Sequence, residues 1–152
     1  MNSYEQLQAE AFKHGIITKE KDLLGHDGLI SGNRIAIRKG LANSQKACVL
    51  AEELGHYHMN VGNILNQKDL NNAKQEHLGR MYAYNRMIGL IGIVNAYEAG
   101  CRNQYEIAEY LNVTEEFLAE TISAYRSKYG TLATVDNYAI YFIPNLGVLK
   151  LL

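Results

Sequence analysis

The stretch Cys48-Val49-Leu50-Ala51-Glu52-Glu53-Leu54-Gly55-His56-Tyr57-His58 decides how this chain is read. Ala47, Leu50, Ala51 and Leu54 recur at helical spacing and form an apolar stripe, which predicts a helix buried along one side. Asn43-Ser44, just upstream, supplies side chains able to cap its first turn. Residues four apart on a helix project from one face, so Glu52 and His56 can reach the same cation. Glu53 lies about 100° around the helix from Glu52 and flanks that place without entering it as a ligand.

Upstream of this helix, residues 4–13 carry apolar positions at helical spacing and Gly15 follows as a stop. Residues 23–37 change character. Gly25, Asp27-Gly28 and Gly32-Asn33 form turns between the short apolar runs Gly28-Leu29-Ile30 and Arg34-Ile35-Ala36-Ile37-Arg38, which predicts a hairpin or small antiparallel sheet. Downstream, the polar, Asn-rich residues 62–72 read as a connecting loop and residues 73–99 as one long helix closed by Gly100. Gly79 and Ala83 lie four apart on that helix, where small side chains let another helix approach. Shorter helices are expected over 104–111 and 114–128, joined at Asn112-Val113, with Thr114 as N-cap. The tail, 137–152, is β-rich around 138–142, turns at Pro144, the only proline, and is expected to pair with the early strands. The expected class is α+β, mainly helical, with a small antiparallel sheet and a β-rich C-terminal tail.

Length and composition bound the remaining choices. A chain of 152 residues with 47% hydrophobic content suits one globular domain spanning 1–152. Fifteen Lys and Arg against sixteen Asp and Glu give a formal charge of -1, so no global positive field gathers nucleic acid or anionic membrane, and such a partner would need a local patch. The polar N-terminus lacks the apolar core of a signal peptide, and no apolar run approaches the roughly 20 residues of a membrane span, which points to the cytoplasm. Cys48 and Cys101, with no CxxC pair, read as small buried hydrophobes rather than a disulfide or a cysteine zinc site. The segment 106–114 has the rhythm of a helix-turn-helix, but its second helix opens with Thr114-Glu115-Glu116 and would present carboxylates to phosphates. A structural helical hairpin is the expected reading, without direct nucleic-acid binding. The eleven tyrosines fall largely at packing positions, with Tyr57, beside His56, as the one candidate hydroxyl for a developing oxyanion.

The chemistry follows from donor types. In the usual His-Glu-x-x-His zinc helix, two histidines one turn apart hold the metal and the intervening glutamate activates water. Here Glu53, Leu54, Gly55 and His56 fit that template and Glu52 occupies the first ligand position. A catalytic zinc ion takes three protein ligands and keeps a fourth position open, and Glu76, near the start of the next helix, is the best third candidate, ahead of His77 and His58. Two carboxylates and one imidazole make a harder, more anionic site. Zn2+ is the expected ion, with Mn2+ or another oxygen-preferring divalent cation as alternatives. Glu53 is placed as general base for peptide-bond hydrolysis. The same Glu-Glu pair also fits a solvated helix face, and a single helical histidine fits a structural role.

The residues 48–57 resemble the active-site helix of the ImmA/IrrE family of metallopeptidases, particularly its phage and prophage members, which often carry Glu at the first ligand position. The resemblance continues through Lys74-Gln75-Glu76, Tyr82-Ala83, residues 105–111 and residues 141–148, in order over most of the chain. It implies a reduced zincin-like domain with a helical C-terminal part. Family members place a third ligand, a glutamate, on the second long helix before a small residue; Leu78 precedes Gly79 here, and the ligand role is carried to Glu76. The resemblance implies a metal-dependent endopeptidase of phage or prophage type acting on a regulatory protein such as a repressor. The alternative it leaves open is an inactive relative that binds such a regulator uncut.

Overall fold

The computed structural model describes residues 1–60 and 69–152 and divides into two compact units, residues 1–83 and 84–152. In the first unit, α1 (Ser3–Lys13) begins at Asn2 with a reciprocal cap: the Asn2 side chain accepts from the Glu5 N–H and the Glu5 carboxylate accepts from the Asn2 N–H. Gly15, at φ 74°, turns the chain into β1 (Ile17–Lys21). The sheet is completed by β2 (Gly28–Ser31) and β3 (Arg34–Arg38) in the order β1-β3-β2.

The β2-β3 pair is the hairpin read from the sequence, turning at Gly32-Asn33. The sheet is mixed rather than antiparallel throughout, because β1 runs parallel to β3. Alternation divides its faces. Gly28, Ile30, Ile35 and Ile37 share the face that receives the second helix, α2 (Asn43–Asn60), together with Thr18 and Glu20 of β1. Ile35 and Ile37 are buried there with Leu7 and Ala11 of α1 and Ala47, Leu50, Ala51 and Leu54 of α2. The apolar stripe of α2 is thus the core of this unit. Its start differs from the expected Asn43-Ser44 cap: the Ala42 carbonyl accepts from the Lys46 N–H, and the Gln45 side chain accepts from the Ala42 N–H.

Glu20 joins three elements on this inner face. It accepts from the Tyr4 hydroxyl of α1 at 3.2 Å and pairs with Lys46 of α2 at 3.1 Å. Burial, helped by the Glu20 carboxylate and its hydrogen bond, pushes the Tyr4 phenol up to about 12.

The loop expected over 62–72 falls largely outside the described residues, and the next helix, α3, spans Asp69–Met87. The single long helix expected over 73–99 is two helices. Ile88 leaves helical geometry and Gly89, at φ 67°, lets the chain restart as α4 (Gly89–Glu98). The boundary between the units falls inside α3, between Ala83 and Tyr84.

The second unit contains α4, α5 (Gln104–Leu111), α6 (Glu115–Tyr129) and a meander of β4 (Leu132–Val135), β5 (Tyr138–Tyr141) and β6 (Gly147–Lys150). Asn112 in the left-handed region ends α5, and the Thr114 hydroxyl caps α6 by accepting from the Phe117 N–H at 3.0 Å. Phe117, Leu118, Ile122, Tyr125, Ile140 and Phe142 fill its core, and Tyr125 donates to Asn85 at 2.7 Å. The tail does not pair with the early strands. It forms its own antiparallel sheet, β4-β5-β6, around the Ile143-Pro144 turn. The architecture is α+β and zincin-like, as expected. Among the described residues no helix is long and apolar enough to cross a membrane.

Candidate metal and catalytic site

The site lies where α2 meets α3, in the first unit. The two helices touch at Gly55 and Gly79: a Cβ on Gly55 would overlap the Gly79 carbonyl oxygen, and a Cβ on Gly79 would overlap Cδ2 of His56. Glycine at both positions therefore permits the approach that carries α3 side chains to His56. The small-residue face expected at Gly79 has this function. Gly55 was legible only as an unassigned position inside the motif, because its partner lies 24 residues away in sequence, from 55 to 79.

His56 Nε2 and Glu76 Oε2 converge to 3.1 Å. The contact lacks the alignment of a hydrogen bond, and Nε2, shielded from solvent, has no hydrogen-bond partner. On the other side of the ring, Nδ1 faces Glu53 Oε2 at 3.6 Å, an ion-pair distance beyond that of a hydrogen bond. The His56 pKa is raised, first by its interaction with Glu53, against the lowering effect of burial, and further by the charges of Glu53, Glu76 and Glu52. Glu52, Glu53 and Glu76 thus all act on one imidazole.

Glu53 is 8% exposed and is the one buried carboxylate among the described residues. It packs against the start of β2: a Cβ on Gly28 would lie 3.3 Å from Glu53 Oε1 and 2.6 Å from Cγ1 of Val49. Gly28 was foreseen as a turn former; its close approach to Glu53 was not. Glu76 is about half exposed, and its second oxygen pairs with Arg80 at 3.2 Å. Arg80 was not singled out from sequence, although its i,i+4 spacing from Glu76 is a readable signal.

The weaker ligand candidates lie elsewhere. His58 packs its ring against His14, Tyr57 and Tyr82, with centroids 4.9, 5.4 and 5.1 Å away. That contact also occupies the ring of Tyr57. His77 is exposed and Cys48 is buried, as its reading as a small hydrophobe expected.

Among the described residues no group of three or more His, Cys, Asp or Glu side chains is arranged to hold a metal ion. Two donors nevertheless meet as ligands of one ion would. Tetrahedral donors about 2.0–2.1 Å from zinc stand about 3.3 Å apart, close to the His56–Glu76 separation, and a cation is the partner that a buried, unbonded imidazole nitrogen beside a carboxylate lacks. The spacing of His56 and Glu76 suits two ligands of one divalent cation, but Glu52, the third ligand expected from the sequence, does not complete a three-donor group with them.

A family model described as the IrrE N-terminal-like domain, of the M78 peptidases, matches residues 9–123, from α1 into α6 and across every residue of this site. No curated protein and no solved structure gives a significant match.

Proposed function

Since the chain belongs to the ImmA/IrrE family of metallopeptidase-type domains, we propose that it is a metal-dependent endopeptidase of phage or prophage origin whose substrate is a regulatory protein of the repressor type. Residues 1–152 act as one functional domain in this reading. The observation that carries it is the pairing of His56 Nε2, buried and without a hydrogen bond, with Glu76 Oε2.

His56 and Glu76 would hold the cation, with Glu52, one turn before His56, as third ligand. Zn2+ suits the imidazole, and the two carboxylates leave room for Mn2+. A bound divalent cation supplies Lewis acidity toward the scissile carbonyl and makes water easier to deprotonate. Glu53 contributes the proton handling. Its buried carboxylate accepts a proton from the attacking water and returns it to the leaving amine, while its approach to His56 Nδ1 orients the ring so that Nε2 faces Glu76. β2 is an edge strand and Gly28 lies beside Glu53, so an extended substrate added to that edge would pass the general base.

The test is metal analysis of the purified protein together with a cleavage assay on a repressor-type regulatory protein. The expected result is about one divalent ion per chain, lost in His56→Ala, and cleavage abolished by Glu53→Gln with the fold retained. Protein that purifies without metal and cuts its partner unchanged by Glu53→Gln overturns the reading.

A second reading, a pseudo-peptidase that binds a regulator uncut, is favoured by one observation: Arg80 already neutralises Glu76, as it would in a site that no longer takes a cation. It requires the partner to be captured intact by wild type and Glu53→Gln alike.

A further inference from the structure

The face of the first sheet turned away from α2 is basic around an apolar centre. Alternation and register place three rows on it: Ile17, Arg34 and Ser31; Lys19, Ala36 and Leu29; Lys21 and Arg38. Arg38 is paired with Asp27 at 2.9 Å. Lys19, Lys21 and Arg34 are exposed and have no carboxylate partner among the described residues, and the one carboxylate of β1, Glu20, points to the opposite face, toward Tyr4 and Lys46. Between these cations lies a cavity of about 370 Å³ lined by Ile17, Leu29 and Ala36, with Ile17 47% and Leu29 44% exposed.

Three unpaired cations and an apolar floor are not what a solvated sheet face requires. Strands about 4.8 Å apart, with same-face residues about 6.8 Å apart along each, set the charges at the spacing of side chains on an extended or helical peptide. A polyanion without apolar groups would satisfy the cations and leave the floor wet. We propose that this face is a docking surface for an acidic protein segment that carries at least one large apolar side chain. Its carboxylates pair with Lys19, Lys21 and Arg34, and its apolar side chain fills the cavity over Ile17, Leu29 and Ala36. The surface is separate from the His56 site, which lies on the α2 side of the sheet, and it requires neither metal nor catalysis.

The proposal is tested on the full-length protein with a fluorescent peptide of about ten residues in which Glu and Leu share every second position and Ser fills the rest, so that an extended chain presents both on one face, beside its Lys-for-Glu counterpart and a short DNA duplex. Fluorescence anisotropy is expected to show binding of the acidic peptide alone, weakened by salt, with peptide-induced NMR shifts confined to the β1–β3 outer face. The variant Lys19→Glu, Lys21→Glu, Arg34→Glu is expected to lose at least about tenfold in affinity, and Leu29→Asp to lose as much with the cations intact. All four positions are exposed, and unchanged circular dichroism checks that the variants fold. Binding that survives both variants, tighter binding to DNA than to the peptide, or no binding by the wild type overturns it.

Discussion

Gly55 and Gly79 meet so closely that neither position has room for a methyl group, and the two obstructions differ in kind: backbone stands in the way at Gly55 and an imidazole ring at Gly79. A ring rotates away more easily than a helix backbone moves. Gly55→Ala is therefore expected to cost about 2 kcal/mol net of the helix propensity that alanine gains. Gly79→Ala should cost less stability and displace His56, so it lowers metal affinity more than it lowers the melting temperature. Denaturant unfolding and calorimetric metal titration on both variants check the inversion.

The Glu53–His56 approach predicts a pH signature in metal-free protein. The His56 pKa is raised above its ordinary value chiefly by Glu53, so the stability this pair adds is fully present below the unfolded-state pKa, about 6.5, and is lost as pH rises through the folded value. Glu53→Gln should bring the His56 titration down, as followed by NMR of the imidazole. Its stability difference from wild type should be larger at mildly acid than at alkaline pH. An unchanged His56 titration would show that Glu53 does not act on this ring.

Arg80 pairs with Glu76 Oε1 and, if Glu76 is a ligand as proposed, would compete with a cation for that carboxylate. The pair is about half exposed, so the effect is modest: Arg80→Ala is expected to tighten divalent-metal binding by a few-fold. Glu76→Gln should weaken it, by calorimetry under the same conditions.

Tyr4 supplies an alkaline counterpart. Its phenol, pushed up to about 12 first by burial and then by Glu20, stays protonated where the unfolded chain ionises, so the stability it adds is present below about pH 10 and lost as pH rises through 12. Glu20→Gln is expected to lower the phenol pKa part of the way toward its ordinary value, read by ultraviolet absorbance. Burial retains the rest.

Much of this was readable because it is local. The stripe Ala47-Leu50-Ala51-Leu54 specified the buried face of α2, Gly32-Asn33 the hairpin and Thr114 a cap. Failures came where the controlling interaction is distant or depends on a single backbone angle. β1, Ile17–Lys21, contains three charged residues and no strand alternation, and becomes a strand because β3 offers it a parallel edge. Gly89 sits inside an unbroken helical pattern, and only its positive φ reveals the break. The tail has strand composition, but β4, missed in the sequence, is its partner and takes it away from the early strands. In the site, Glu52, Glu53 and His56 came from one helix by spacing, whereas the approach of Glu76 to His56 depends on Gly55 meeting Gly79, and no spacing within one helix encodes that.

Lys19, Lys21 and Arg34 stand on one side of the first sheet and Glu52, Glu53 and Glu76 on the other, a local separation of charge that the whole chain's formal charge of -1 conceals. Partners of opposite charge would be turned toward opposite sides before contact, and added salt would slow both encounters. The chain's formal charge therefore says little about the local charge that an approaching molecule meets on either side of this sheet.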